Sequence, residues 1–429
     1  MYTEIHRCRI CGNEKLTTLL DLGEQALTGV FPASKDVEVE SMPIVLVKCT
    51  GEKSCGLVQL KHSGAPEEMY GMNYGYRSGI NQSMVKHLKG AQEQALRLGQ
   101  PKKGDVILDI GSNDATFLKF YEPGTFTLIG MDPTGVKFKS YYPPHVSLVE
   151  DFFSAERFRR ASGGKSAKII TSIAMFYDLE SPQSFVNDVA ESLADDGVWI
   201  FEQSYLPSML AVNAYDTICH EHLEYYALRQ IMWLLEHADM GILDVSLNDA
   251  NGGSFRVTAA KSSHPKFQKD HSENARELLQ REEDEGIQDL ATYEAFRERV
   301  LAHLKDLMHL LKKLHTEGKT VFGLGASTKG NVILQFCDLT VEDIPCIAEV
   351  NEDKFGCFAP GTKIPILSQK EADAKKPDYY LVMPWHFKNG IVKGLSEYLK
   401  NGGSLIFPLP EMTIVDAKSE QRRETAKVL

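Results

Sequence analysis

Three groups of residues in this 429-residue chain have types and spacings that suit chemistry. Near the start, Cys8-Arg9-Ile10-Cys11 is a C-x2-C knuckle followed by glycine, and Cys49 and Cys55 form a second pair. Two such pairs supply four thiolates to a tetrahedral ion, and thiolates suit zinc. A closed shell of four cysteines leaves no open position for water, so the expected role of Zn2+ is structural. His6 offers a substitute ligand. In the middle of the chain, DTICHEHLEYY sets His220, Glu221 and His222 side by side. An imidazole with a carboxylate beside it is matched to proton transfer at neutral pH. Taken alone, the run reads equally well as a solvated helix start.

The third group is VILDIGSNDATFL. Asp109 lies near the end of a strand candidate and Gly111 begins a tight turn into a helical stretch. Such a turn lets backbone approach a cofactor, and the following N–H groups are free to bind it. Dinucleotide sites of the G-x-G-x-x-G type use a similar turn. Here Asn113 stands in place of the second glycine and no third follows, a pattern that resembles the S-adenosylmethionine form of the turn. Asp132, at the end of the next strand candidate (LIGMDP, with Pro133), is placed to accept both ribose hydroxyls. Asp151 and Phe152 of EDFFSAERF would hold the adenine ring.

These residues need elements to position them. Between Lys103 and Gln203, strand candidates Val106–Ile110, Phe126–Met131, Lys168–Ile173 and Val198–Gln203 alternate with helical stretches such as Pro182–Leu193. That alternation predicts βαβ units around a parallel sheet. An amphipathic pattern predicts a helix over Ser83–Leu98. Residues 205–260 read as mixed structure ending in a strand, Ser254–Ala260. Residues 265–315 are charged and helical in period, giving one or two connecting helices. A second alternation follows, with strands expected at Thr320–Gly323, Ile347–Val350, Tyr379–Val382 and Ser404–Phe407. The organisation expected is a zinc-binding domain over 1–68, a cofactor-binding domain over 69–262, a helical connector over 263–316 and a Rossmann-like domain over 317–415.

Composition narrows the class. The chain is 43% hydrophobic and 25% charged, as in a globular protein, with a net charge of −12. An acidic chain has no general electrostatic attraction to nucleic acid or anionic membrane. No apolar run approaches the roughly 18–20 residues that span a bilayer, and MYTEIHRCRICG lacks a signal-peptide core. The expectation is a cytoplasmic protein with no membrane or nucleic-acid partner and no obligate protein partner. Clustered cysteines in that compartment point to metal rather than disulfide.

In order, CRICG, Y-x-Y-x-S at Tyr74–Ser78, DIGSNDATFL, DTICHEHLEYY, NGGSFRV at Asn251–Val257, GLGASTKGN at Gly323–Asn331, PGTKIPI and MPWHF run from Cys8 to about Pro410. Together they resemble the nucleotide-sugar C-methyltransferase family. The resemblance implies an α/β protein: a class I methyltransferase domain of Rossmann-like fold, with a small zinc-binding domain before it and a second Rossmann-like domain behind. It implies S-adenosylmethionine-dependent methylation at C3 of a nucleotide-activated 4-keto-deoxysugar through an enolate, as in branched-sugar biosynthesis. Carried over, His222 is the base and Glu221 the carboxylate that orients it, with His220 and Tyr76 beside them. Tyr74, Asn251, Ser254 and Arg256 would line the sugar pocket. Ser327, Thr328 and Lys329 sit where a helix N-terminus would face a pyrophosphate, and Glu349 would bind the nucleotide ribose.

Two positions depart from the family pattern. Cys219 stands where the family has tyrosine before H-E-H, and a thiol is a poor replacement for a phenol that steadies an enolate oxygen. Asn251 stands where a histidine is common before G-G-S. The alternatives are methylation of oxygen or nitrogen of a nucleotide sugar, or a non-catalytic protein that binds one. A dehydrogenase is disfavoured because GLGAST lacks dinucleotide spacing.

Overall fold

The computed structural model describes residues 2–65, 69, 76–267 and 272–418. Tyr74 lies outside them. The first part holds strands β1 (Leu16–Ala26), β2 (Ser41–Cys49) and β3 (Val58–Leu60). The middle part begins with helix α1 (Gln82–Gly99). Strands β4 (Val106–Ile110), β5 (Thr127–Met131), β6 (Val146–Val149), β7 (Ala167–Ile173) and β8 (Leu193–Ser204) follow, with helix α2 (Pro182–Ser192) between the last two. Then come β9 (Glu224–Tyr225), α3 (Leu228–Glu236), β10 (Met240–Asn248) and β11 (Ser254–Lys261). Two helices, α4 (Glu273–Asp284) and α5 (Leu290–Thr316), lead to the last part. It holds β12 (Val321–Leu324), α6 (Thr328–Phe336), β13 (Ile347–Glu349), β14 (Ile366–Ser368), β15 (Tyr379–Val382), β16 (Ser404–Phe407) and β17 (Thr413–Val415).

The middle sheet runs β10-β11-β8-β7-β4-β5-β6. Its βαβ strands are parallel, and β11 is inserted antiparallel to both β8 and β10. Every residue of β4 is buried, because helices cover both faces of a parallel sheet and leave no solvent-facing side. The order reverses at β4, with β5 on one side and β7 on the other. That switch point opens a crevice beyond the carboxyl ends of the strands. The last sheet runs β14-β13-β12-β15-β16-β17, parallel except for β17. This is the 3-2-1-4-5-6 order of a Rossmann sheet, and it has its own switch point beside β12.

The sequence expectations and the structure differ in the stretch read as mixed structure. Residues 205–260 contain helix α3 and the nine-residue strand β10. The burial of β10 is irregular and its register slips between Ile242 and Asp244, which blurs the two-residue period that would betray it. Strand β6 is short and half-exposed, so it carries little pattern. Both connecting helices are present, and α5 turns Tyr293, Phe296, Val300, Leu307 and Leu311 inward at helical spacing.

The decisive tertiary feature is β9. Glu224 and Tyr225, two residues after the H-E-H run, pair antiparallel with Gln59 and Val58 of β3. The four-stranded N-terminal sheet, β9-β3-β2-β1, therefore takes its edge strand from the middle of the chain. The Leu60 N–H also donates to the Leu223 carbonyl at 2.8 Å. Its core is shared in both directions: Leu46 and Leu60 pack with Phe296 and Val321, and Cys8 and Leu57 with the middle sheet. Among the described residues, no helix is long and apolar enough to cross a membrane.

Candidate active site

The four N-terminal cysteines meet. The Cys8 and Cys55 Sγ atoms are 3.5 Å apart, as are those of Cys11 and Cys49, and all four lie within 4.8 Å of one another. A tetrahedron with Zn–S near 2.3 Å has sulfurs about 3.8 Å apart, so the set fits one zinc ion with no open position. Asn13 donates from Nδ2 to Cys49 Sγ at 3.2 Å, the outer-shell support expected of a thiolate site. The Cys55 carbonyl accepts from Gln230 Nε2 at 2.8 Å. The knot is thereby tied to α3, and through β3 and β9 to the H-E-H run.

A cavity of about 460 Å³ lies where the three sheets converge. The middle sheet supplies Gly111, Asn113, Asp132 and Pro133 to its wall. Gly111 takes φ 72°, and a Cβ there would lie 3.0 Å from Met175 Cγ, so the turn needs glycine. Asn113 holds φ 49° and donates its N–H to Asp132 Oδ2 at 2.7 Å. Asp132 Oδ1 accepts from the Thr134 N–H at 2.6 Å and hydroxyl at 2.5 Å. Burial raises the pKa of this carboxyl. With about four lone-pair positions and three donors in place, Asp132 keeps acceptor capacity toward the cavity. Open turn, acidic strand end and flat Phe152 on the same wall fit the amino-acid, ribose and adenine parts of S-adenosylmethionine.

The H-E-H run forms the opposite wall. His222 Nδ1 pairs with the Thr217 carbonyl at 2.8 Å, which fixes the proton on Nδ1 and leaves Nε2 with its lone pair. Burial and the Lys329 ammonium push its pKa down to about 3, so the ring is neutral. Tyr177 meets the ring edge-on at 4.4 Å. Glu221 accepts from the Thr28 hydroxyl at 3.2 Å, and burial raises its pKa. Gly29 lies close beneath it: a Cβ there would lie 2.2 Å from Glu221 Oε1, so a side chain would displace the carboxylate. His220 is fully buried, with Nε2 on the Met42 carbonyl at 3.2 Å. From the last sheet, Ser327 caps α6 by accepting the Gly330 N–H, and Thr328 and Lys329 follow on the wall. Lys329 Nζ donates to the Asn251 carbonyl at 3.1 Å.

Comparison with known proteins matches this geometry part by part. Residues 8–70 match the zinc binding domain family, 85–245 the methyltransferase domain family, and 249–410 the C-methyltransferase C-terminal domain family. The chain is an S-adenosylmethionine-dependent methyltransferase, and its last part is similar to the C-terminal domain of C-methyltransferases. It is 29% identical to C-methyltransferase NovU of Streptomyces niveus over 97% of this chain and 98% of that protein. Two solved structures align less well. The CurJ carbon methyltransferase is 14% identical, covering 43% of this chain and 57% of that chain, at a TM-score of 0.33. N-methyltransferase NodS from Bradyrhizobium japonicum is 13% identical, covering 42% and 98%, at 0.30. At these scores neither match carries weight.

Most of the residues singled out in the sequence of this methyltransferase reach the cavity: His220, Glu221, His222, Tyr76, Gly111, Asn113, Asp132, Pro133, Phe152, Asn251, Ser254, Ser327, Thr328 and Lys329. Four do not. Asp109 lies behind the turn, accepting from the Thr171 hydroxyl at 2.6 Å, and burial lifts its pKa to about 7. Asp151, expected at the adenine, faces outward and pairs with Arg157 at 2.8 Å. Arg256, expected at the sugar, sits two residues along β11 from Ser254, where it neutralises buried Glu202 at 2.6 Å. Glu349, expected at a ribose, spends its carboxylate on the N–H groups of Ala326, Val350 and Asn351, bracing the glycine loop from behind. Cys219 is fully buried and does not line the cavity, so this chain presents no hydroxyl from that position.

The sequence reading passed over Gln203, Tyr177, Lys354 and His386, all on the wall. Gln203 ends a strand, and in open α/β sheets ligands bind beyond strand ends, so position alone could have flagged it. His386 sits in MPWHF, a family marker that was given no chemical role. Its ring is held neutral, with a pKa near 3, by burial and Lys329.

Proposed function

We propose that this enzyme transfers a methyl group to carbon, C3, of a 4-keto-deoxysugar carried on a nucleotide, as in branched-sugar biosynthesis. The observation that carries this reading is His222: a neutral imidazole with Nδ1–H locked on Thr217, its Nε2 free, in a cavity walled by the cofactor turn and the last sheet's glycine loop. S-adenosylmethionine supplies a methyl group on a positively charged sulfur, an electrophile that a carbon nucleophile attacks in line.

A C–H next to a ketone is acidic enough for such a base. His222 Nε2 takes the proton, the C–H electron pair moves into the adjacent bond, and the carbonyl oxygen becomes an enolate. The Lys329 ammonium lies beside His222 and stabilises that oxygen, which offsets the missing phenol at Cys219. The same cation opposes protonation of His222 until the enolate charge forms. Glu221, held by Thr28, fixes the loop that carries His222. The nucleotide is assigned to the α6 N-terminus at Ser327–Lys329, where free N–H groups suit phosphate. Tyr76 and Asn251 border the sugar end.

Mass spectrometry of the purified protein with S-adenosylmethionine and a panel of nucleotide sugars, half of them 4-keto, tests this. A product one methylene heavier, with the methyl on a ring carbon and formed only from 4-keto sugars, is expected; His222→Asn should abolish it. Methyl on oxygen or nitrogen refutes the enolate route. Product formation by His222→Asn at the wild-type rate removes His222 as the base.

A further inference from the structure

Gln203 is 1% exposed, yet neither Nε2 nor Oε1 of its amide has a hydrogen-bond partner among the described residues. A buried amide left unpaired costs about 1–3 kcal/mol for each orphaned group, so such groups are rare unless something absent from the resting protein pairs with them. Gln203 is on the cavity wall. It is the penultimate residue of β8, held in register opposite Phe255. Side chains alternate along a strand, so Gln203 shares its face with Phe201 and Trp199, whose rings pack on Phe176. Gln203 shares the cavity wall with Tyr177, the residue against His222.

Position in the sheet separates Gln203 from the cofactor corner. Strand β8 is two strands from β4, on the side away from β5. At about 4.8 Å per strand, that is roughly 10 Å from the Gly111 strand and 14 Å from the Asp132 strand. On its other side β8 pairs with β11, which carries Ser254, and the Tyr205 N–H donates to the Gly253 carbonyl at 3.1 Å. In that register Phe255 stands opposite Gln203 and Ser254 opposite Ser204, so what Gln203 shares with Asn251, Ser254 and His222 is the cavity wall, on the side away from the Gly111 strand.

We propose that Gln203 is a specificity-determining residue that pairs with a hydroxyl group of the acceptor. An amide offers an N–H donor and a carbonyl acceptor side by side, and a hydroxyl both accepts and donates. This deepens the reading above, since it rests on an acceptor that enters beside His222 and adds that this acceptor carries a hydroxyl. A purely structural glutamine would have its partners within the fold.

The test has two arms. Gln203→Leu keeps the volume and removes both orphaned groups, so the free protein should melt at the same temperature as wild type or higher. A structural role predicts a clear fall in melting temperature, which would overturn the proposal. In the second arm, dTDP-4-keto-6-deoxyglucose is the acceptor probe. Gln203→Leu should raise its KM roughly five- to tenfold, the size of one neutral hydrogen bond, with the KM for S-adenosylmethionine unchanged. Equal acceptor KM values, or a shift confined to S-adenosylmethionine, overturn it. If wild type methylates no nucleotide sugar, the proposed function fails while the melting arm still decides the role of Gln203.

Discussion

Trp385→Phe removes a single N–H and part of a ring from the joint between the last sheet and the catalytic run. The Trp385 Nε1–H donates to Asp216 Oδ2 at 2.8 Å, and Asp216, six residues before His222, is fully buried. Trp385 is itself 7% exposed, so solvent screening does not discount the bond. A hydrogen bond to a buried carboxyl group is worth about 1.5–3 kcal/mol, and the smaller ring leaves a void worth about 1 kcal/mol more. Phenylalanine should therefore destabilise the protein by about 2.5–4 kcal/mol in urea unfolding. A double-mutant cycle with Asp216→Ala, which removes the acceptor, isolates the bond itself, with an expected coupling of about 1.5 kcal/mol or more. The indole also backs Gly252, where a Cβ would lie 3.5 Å from Cη2, and precedes His386. Acceptor KM should rise with the loss of that support, while affinity for S-adenosylhomocysteine, bound at the distant Gly111 turn, stays constant. A destabilisation below about 0.5 kcal/mol, or strict additivity in the cycle, would refute the reasoning.

Asp132→Ala should weaken S-adenosylhomocysteine by about 1.5–3 kcal/mol in calorimetry; unchanged affinity removes Asp132 from the cofactor site. Cys8→Ser should cost bound zinc, measured by plasma emission, together with thermal stability, because the four-cysteine knot anchors β3 and hence β9; full zinc with an unchanged melting point contradicts this. His220 makes stability depend on pH. Its pKa is pushed down by burial to about 4 from 6.5, so below pH 6.5 the unfolded chain binds a proton that the folded chain does not. The loss begins near pH 6.5, levels off near pH 4 and reaches about 3 kcal/mol. His220→Asn should flatten that window of the stability–pH curve; an unchanged slope means the ring is not held neutral.

Much of the chemistry was legible in the chain because it is local. A C-x2-C knuckle, a strand followed by a glycine turn, and an acidic residue at the next strand end each depend on neighbours a few positions away. Backbone conformation dictates their geometry: Gly111 must be glycine because its φ is positive and its Cβ site is taken. The strands of the parallel sheets were visible because burial on both faces writes continuous apolar runs, as in VILDI. Where side chains had a choice of partner, the sequence misled. Asp151, Arg256 and Glu349 carry the right charge for a ligand, but each met a nearer protein group. Local spacing cannot tell whether Arg256 will find Glu202 on the adjacent strand.

By itself, then, the sequence determined the two strand–helix alternations, the cysteine ligands, the cofactor turn and the run that carries His222. Tertiary structure decided how they meet. Only folding pairs Glu224 and Tyr225 with β3, so that a zinc knot at the start of the chain is tied to the H-E-H run in the middle. Only the convergence of three sheets sets Lys329 beside His222 and leaves the Gln203 amide unpaired at a strand end. Both outcomes depend on contacts between residues more than a hundred positions apart, and such contacts are set by how apolar faces pack rather than by any local pattern.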